Sequence, residues 1–143
     1  MIDDTRWRAA QRLELAFWKR WKTLGPYRDL DIPAYWRGEL GHFGVSPEDF
    51  AGKRVLDVGC GPEGLIHYVE GAAARIRVDP LLLQYSERRS PEGLQLSLCA
   101  MGEALPLADG SVDIAICFNA LDHMLNPAVA LDEIARELKK NPR

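Results

Sequence analysis

Gly59-Cys60-Gly61-Pro62-Glu63-Gly64 satisfies G-x-G-x-x-G, and two carboxylates bracket it. Asp57 lies two residues before Gly59, and Asp79 follows Gly59 by twenty residues. Glycine lacks a Cβ and tolerates positive φ, so such a turn lets the backbone approach a nucleotide-like ligand closely. A carboxylate at the position of Asp79 can accept hydrogen bonds from both hydroxyls of a ribose. The chemistry this predicts is that of a bound cofactor rather than of an activated nucleophile. The pattern alone fits a nicotinamide dinucleotide equally well, and its meaning depends on following a strand and opening a helix.

Other reactive side chains are few. Cys60, Cys99 and Cys117 are scattered in or beside predicted strands without metal-ligand spacing, so no metal site is expected. An odd, scattered count reads as reduced thiols in a cytoplasmic protein, with Cys60 a small space-filler of the turn. His123 is the histidine nearest the predicted pocket rim, where an imidazole can serve as a general base; the competing role is a structural hydrogen bond in a turn before Pro127. His42 and His67 read as helix residues. Net charge is -3, so nothing global suggests nucleic acid. One basic run, Arg6, Arg8, Arg12, Lys19, Arg20, Lys22 and Arg28, contains the single acid Glu14. It reads as a solvated face that could alternatively attract an acidic substrate. No apolar run approaches the ~20 residues that span a bilayer, and the start of the chain lacks the pattern of a signal peptide.

The elements that must position these groups alternate. A helix is expected from Asp3 to Leu24, with Ala10, Leu13, Phe17, Trp21 and Leu24 on its apolar face, Trp7 and Trp18 widening it, and Gly25-Pro26 stopping it. Pro33 starts a second helix over Ala34 to Phe43, and Ser46-Pro47-Glu48-Asp49 is a capped turn. Strands follow at Arg54–Val58, Ala74–Val78, Leu94–Cys99 and Asp113–Phe118. Between them, helices are expected over Glu63–Gly71 and Leu81–Arg89. A last helix over Pro127–Lys140 turns Val129, Leu131, Ile134, Ala135 and Leu138 inward. Asp79 before Pro80 also suits a helix cap, and Asp113 suits a backbone-bonded start to its strand. Alternation of strands and helices implies parallel βαβ units with right-handed crossovers. The fold class is therefore α/β: a core over residues 50–143, preceded by a helical extension or lid over residues 1–49.

Three features separate the cofactor readings. A pyrophosphate beside Asp57 would be repelled, whereas a cationic ligand would be attracted. No Lys or Arg stands near the turn to favour phosphate. Downstream come Gly102-Glu103-Ala104-Leu105-Pro106, Asp109-Gly110-Ser111-Val112-Asp113 and Phe118-Asn119-Ala120-Leu121-Asp122-His123-Met124, in that order. With them, the stretch from about Phe50 to Lys140 resembles the class I S-adenosylmethionine-dependent methyltransferases. The resemblance implies a Rossmann-like parallel sheet in the order 3-2-1-4, flanked by helices. It implies that the turn Asp57, Gly59, Cys60 and Gly61 holds the methionine part of the cofactor, and that Asp79 with Pro80 holds the ribose. Met101, Gly102 and Glu103 would lie against adenine, and Asn119 would close the pocket toward the acceptor. Many relatives carry an aspartate where Met101 stands. Met101 is expected to pack on the adenine face instead, while the Gly102 or Glu103 amide meets a ring nitrogen.

The function so implied is methyl transfer from S-adenosyl-L-methionine to an unidentified acceptor, leaving S-adenosyl-L-homocysteine, with His123 the candidate base. A non-catalytic or regulatory S-adenosylmethionine-binding subunit is the alternative, and a nicotinamide-dependent oxidoreductase a third reading. In relatives three further strands follow the last helix, so the sheet is expected to be cut after its fourth strand. Uncovered apolar edge strands invite pairing. A homodimer, or a partner subunit joined through the Asp113–Phe118 edge, is expected. Tyr35 and Trp36, on the helical extension, are expected near the cofactor mouth.

Overall fold

The computed structural model describes residues 4–24, 28–85 and 95–140. Four strands, β1 (Arg54–Val58), β2 (Ala74–Val78), β3 (Gln95–Leu98) and β4 (Ile114–Ile116), form one sheet in the order β3-β2-β1-β4. All pairings are parallel, with Val58 beside Val78, Asp57 beside Ile116 and Val78 beside Leu98. This is the topology expected from the resemblance. β1 and β2 coincide with the predicted spans, and the described parts of β3 and β4 fall inside theirs.

Successive side chains of a strand point to opposite faces, and β1 shows what that does here. Val55 packs on one face with Phe50, Leu65, Ile66, Val69 and Tyr85. Leu56 and Val58 pack on the other with Ile76, Val78, Leu105, Val112 and Ile134. Burial on both faces is what near-continuous aliphatic runs in a parallel sheet predict. Asp57, by the same alternation, points to the face of Val55, where the turn after β1 and the N-terminal helices lie.

The helical extension comprises α1 (Asp4–Arg20), which continues as a short 3₁₀ turn over Trp21–Thr23, and α2 (Ile32–His42). Asp31 caps α2 by accepting the Ala34 N–H, and Pro33 occupies its first turn. Ser46 and Asp49 form a reciprocal capping box at Pro47–Phe50, as the sequence suggests. α1 is rotated from its expected orientation. Leu13 is 73 % exposed, while Leu15 and Trp18 pack against the core beside buried Trp21. Trp18 and Trp21, with Leu15, set the inward face rather than Leu13 and Phe17, because the indole rings offer the most area to bury. The basic residues described on α1, Arg6, Arg8, Arg12, Lys19 and Arg20, are exposed, the solvated arrangement.

Two crossovers differ from expectation. Glu63–Gly71 is not an α-helix: a 3₁₀ turn spans Leu65–His67, and irregular chain leads to Gly71 at φ 69°. The crossover must travel back along a five-residue strand, about 16 Å. The nine residues from Leu65 to Ala73 would cover only about 13 Å as a helix, with nothing left for the turn into β2. Likewise Leu81–Gln84 forms turns rather than a helix, with Gln84 donating to the Leu81 carbonyl; residues 86–89 of that predicted span, and the predicted stop at Gly25-Pro26, lie outside the described residues.

The last helix, α3 (Pro127–Glu137), is capped by Asn126. It buries Ala130, Ile134 and Glu137, leaving Val129 41 % and Leu131 49 % exposed and Ala135 exposed. Of the predicted inward stripe, Ile134 is buried and Leu138 half-buried. The helix ends before Lys140 because Leu138 turns extended and bridges Val112, with Lys139 N–H donating to the Val112 carbonyl. No helix among the described residues is long and apolar enough to cross a membrane.

Candidate functional site

The site is built at the carboxyl ends of β1, β2 and β4, where open α/β sheets bind ligands. Gly59 and Cys60 leave β1 by donating their N–H groups to the Val78 carbonyl, at 2.7 and 3.3 Å. Gly59 and Gly61 have φ of 72° and 55°, the left-handed region that glycine enters without penalty. A Cβ on Gly59 would stand 2.4 Å from the Ala120 Cβ, so the loop after β4 closes directly over this turn. That loop holds Asn119 at φ 49°, a conformation asparagine tolerates better than most residues.

Asp79 braces the turn. One carboxylate oxygen accepts the Gly61 N–H at 3.0 Å; the other accepts the Leu81 N–H at 2.7 Å and the Tyr85 hydroxyl at 3.3 Å. The helix cap foreseen for Asp79 has no helix to cap, since turns follow Pro80; the carboxylate instead holds the turn through the Leu81 N–H, and it lines the cavity. Asp57 accepts the Ile66 N–H at 3.1 Å. Burial pushes the Asp57 carboxyl up to about 7; the Ile66 bond opposes this and the charge of Asp79 adds to it. Burial also raises Asp79, against the amides of Leu81 and Gly61 and the Tyr85 hydroxyl. The Cys60 thiol is pushed well above its usual range by burial and by Asp57 and Asp79, so it is no nucleophile.

Two adjoining cavities open here. One of about 430 Å³ runs from Asp57, Cys60 and Gly61 to the aromatic residues of the helical extension. A smaller one of about 60 Å³ holds Pro80, Met101, Gly102 and Glu103 on its wall. Gly59, Asp79, Asn119 and His123 line both. The sequence-predicted residues are thus all brought to one site. Glu103 also has a second task, since its carboxylate accepts the Leu125 and Asn126 N–H groups at 2.7 and 3.0 Å. Gly102 lies under Met124, whose methyl would sit 2.9 Å from an added Cβ. Asp113 accepts the Arg54 N–H and pairs with Lys139, the backbone-bonded role foreseen for it. Among the described residues, no cluster of three or more His, Cys, Asp or Glu is placed to hold a metal ion.

The structure adds residues that motif reading missed. Glu14 of α1 lies over the site, accepting the Trp18 indole N–H at 2.6 Å and meeting His123 Nδ1 at 3.3 Å. Its signal in the sequence is that it is the single acid in a basic run. Trp18 lies against the glycine turn: a Cβ on Gly61 would approach its ring to 3.2 Å. Trp36 of α2 donates to the Glu63 carbonyl at 3.0 Å and stacks edge-on against Phe118 at 5.2 Å. Tyr35 and Trp36, which the sequence reading sets near the cofactor mouth, line the larger cavity. No single motif announces the place of Glu14 and Trp18, because it depends on how α1 folds back over the sheet.

The chain matches known proteins in the same terms. The methyltransferase domain family profile matches residues 56–142. A probable S-adenosylmethionine-dependent methyltransferase of Mycobacterium tuberculosis is 33 % identical over 119 residues, covering 78 % of this chain and 41 % of its own length. An uncharacterized methyltransferase of the same organism is 34 % identical over 94 residues, covering 65 % of this chain and 38 % of its own. This chain thus spans about two fifths of the curated relatives it matches. The crystal structure of an S-adenosylmethionine-dependent methyltransferase from Mesorhizobium loti superposes with a TM-score of 0.61 at 19 % identity, covering 76 % of this chain and 50 % of that one, which bears on the fold alone. With the family profile covering more than half its length, the chain belongs to the methyltransferase domain family.

Proposed function

We propose that this chain binds S-adenosyl-L-methionine and supports methyl transfer to an acceptor held under the helical extension. The observation that carries the reading is the glycine cradle between Asp57 and Asp79. Gly59 has no room for a Cβ, and Gly61 has little. Both carboxylates face a cavity to which, among the described residues, no lysine or arginine contributes. These features fit a ligand that is cationic and has a ribose, and they disfavour a pyrophosphate.

The bound cofactor would supply a sulfonium whose methyl group is already activated. The protein then mainly orients and dries the site, and positioning can contribute ~7–11 kcal/mol to such a reaction. Asp57, Cys60 and the Gly59–Gly61 turn would hold the amino-acid part. Asp79 and Pro80 would hold the ribose, with Met101, Gly102 and Glu103 beside the base and Asn119 toward the acceptor. Residues 1–49 act as a lid over the core of residues 50–143. His123, held by Glu14, takes a proton from the acceptor where one must be lost.

Calorimetry with S-adenosylmethionine, S-adenosylhomocysteine and NAD tests this. The first two bind and NAD does not. Asp79→Ala weakens binding by ~1.5–3 kcal/mol through loss of charge-assisted hydrogen bonds, with its melting curve recorded alongside. NAD binding more tightly than S-adenosylhomocysteine would overturn the reading in favour of an oxidoreductase.

A second reading, a cofactor-binding subunit completed by a partner or by a second copy in the cytoplasm, draws on one observation. β4 pairs with β1 on one side only and forms an edge of the sheet. Sedimentation of the chain checks it; a stable monomer at micromolar concentration that turns over an acceptor counts against it.

A further inference from the structure

The larger cavity has an unusual wall. Phe17, Trp18 and Trp21 from α1 and its 3₁₀ turn, Tyr35 and Trp36 from α2, and Phe118 at the end of β4 line it. The rings contact one another in sequence: Phe17 with Trp18 at 5.3 Å, Trp18 with Trp21 at 5.4 Å, Tyr35 with Trp36 at 5.1 Å, and Trp36 with Phe118 at 5.2 Å. Charge on the lining is of one sign. Glu14, Asp57, Glu63 and Asp79 contribute carboxyls, and among the described residues no lysine or arginine does.

Aromatic faces attract cations through the ring quadrupole. Carboxyls in a partly dry cavity add to that attraction and repel anions. Asp57 and Asp79 are at the cofactor end. The Glu14 carboxylate is tied to the aromatic wall through the Trp18 indole; Glu63 lines the cavity with its backbone carbonyl held by Trp36 and its carboxylate by the Tyr68 hydroxyl. This wall therefore selects cationic guests with an apolar body and rejects carboxylates, phosphates and phenolates.

We infer that the chamber takes a hydrophobic amine as its methyl acceptor, bound first as the ammonium ion. This deepens the methyl-transfer reading and rests on it. An ammonium nitrogen has no lone pair to give, so a proton must leave before transfer. His123 lines the same cavity and its Nδ1 meets Glu14 at 3.3 Å, which stabilises the imidazolium formed when the ring accepts that proton. The freed nitrogen pair then forms the N–CH₃ bond. The sulfur–methyl bond breaks with its electrons remaining on sulfur, and the positive charge passes to nitrogen, so the products are the N-methylammonium ion and S-adenosylhomocysteine.

The test is binding to the whole chain with S-adenosylhomocysteine already bound, followed by tryptophan fluorescence and calorimetry. The probes are phenethylamine and its anionic counterpart of similar size, 3-phenylpropionate. The expected result is phenethylamine binding at least ~10-fold more tightly. Glu63→Gln keeps an acceptor for the Tyr68 hydroxyl, which lies 2.9 Å from the Glu63 carboxylate, and it should shrink that preference severalfold. Phe17→Leu, at a position 36 % exposed, should weaken the amine and leave the propionate unchanged. Equal affinities, or a preference for the propionate, overturn the inference while leaving methyl transfer standing. Failure of S-adenosylhomocysteine to bind at all overturns both.

Discussion

Asp57→Asn separates what the buried carboxyl costs the fold from what it gives the ligand. The carboxyl is 2 % exposed and titrates at about 7, against 3.8 for the free side chain. Its folded-state pKa is raised, so the folded protein holds the proton more tightly than the unfolded chain. Stability from this group therefore falls as pH rises from about 4 to 7, and the penalty is complete above 7. With these two values the penalty is about 2 kcal/mol at pH 5 and about 4 kcal/mol at pH 8, a loss of about 2–3 kcal/mol between them. Asparagine keeps a carbonyl oxygen to accept the Ile66 N–H and carries no charge to desolvate. Urea unfolding of both proteins at pH 5 and pH 8 should show the parent losing about 2–3 kcal/mol relative to the variant. Other titrating groups, Asp79 included, are common to both proteins and cancel in the comparison to first order. The same variant should bind S-adenosylmethionine more weakly at pH 8, because the cation loses its nearest buried counter-charge. Parallel stability curves for the two proteins would refute the assignment of a raised pKa to Asp57.

Two further perturbations probe the scaffold. Gly59→Ala and Gly52→Ala place a methyl group at nearly the same φ, 72° and 70°, but only the first meets another atom, the Ala120 Cβ at 2.4 Å; Gly52→Ala should cost ~1–2 kcal/mol for the left-handed backbone and Gly59→Ala ~1–3 kcal/mol more for overpacking, and equal losses in urea would show that the β4 loop does not close over the turn. Glu137 is fully buried and accepts from Arg136 at 2.7 Å and from Ser111 at 2.9 Å, whereas the Asp109 partner of Arg136 is 80 % exposed; Glu137→Ala should lower the melting temperature clearly and Asp109→Ala hardly at all, and the reverse order would sink this account of how α3 is held.

Strands were legible because their signal is local. Arg54–Val58 carries a short aliphatic run closed by a glycine turn, and Ala74–Val78 alternates aliphatic residues with arginines up to Asp79. Helices between strands were not, because their existence depends on the distance the chain must cover. Glu63–Gly71 has helical composition but too few residues to return to β2 as a helix, and no window of sequence states that distance. Inward faces failed for a related reason. On α3 the aliphatic pattern points to Val129 and Leu131, yet the helix turns Glu137 inward because Ser111 and Arg136 satisfy it there. The motif residues of the site were legible, since glycine spacing and a carboxylate at each strand end are sequence properties. Glu14 and Trp18 were not, because their place over the glycine turn is created only when α1 folds back.

Those two residues tie the helical extension to the electrostatics beneath it. Glu14 adds its charge to the field that raises Asp79, and it reaches the site only because α1 lies across it. In the proposed lid role, closing the extension would bring a further carboxyl toward two already disfavoured by burial and would oppose closure in the absence of a cation. A sulfonium or ammonium guest would reverse the sign of that interaction. Ligand charge and closure would then be linked, the guest that fits the chamber also stabilising the closed form. A neutral guest of the same shape would gain the aromatic contacts but not this term, so it should bind without the same protection of α1. On the amine proposal, the hydrophobic wall would provide the grip and the carboxyls the selection, whichever acceptor carries the amine.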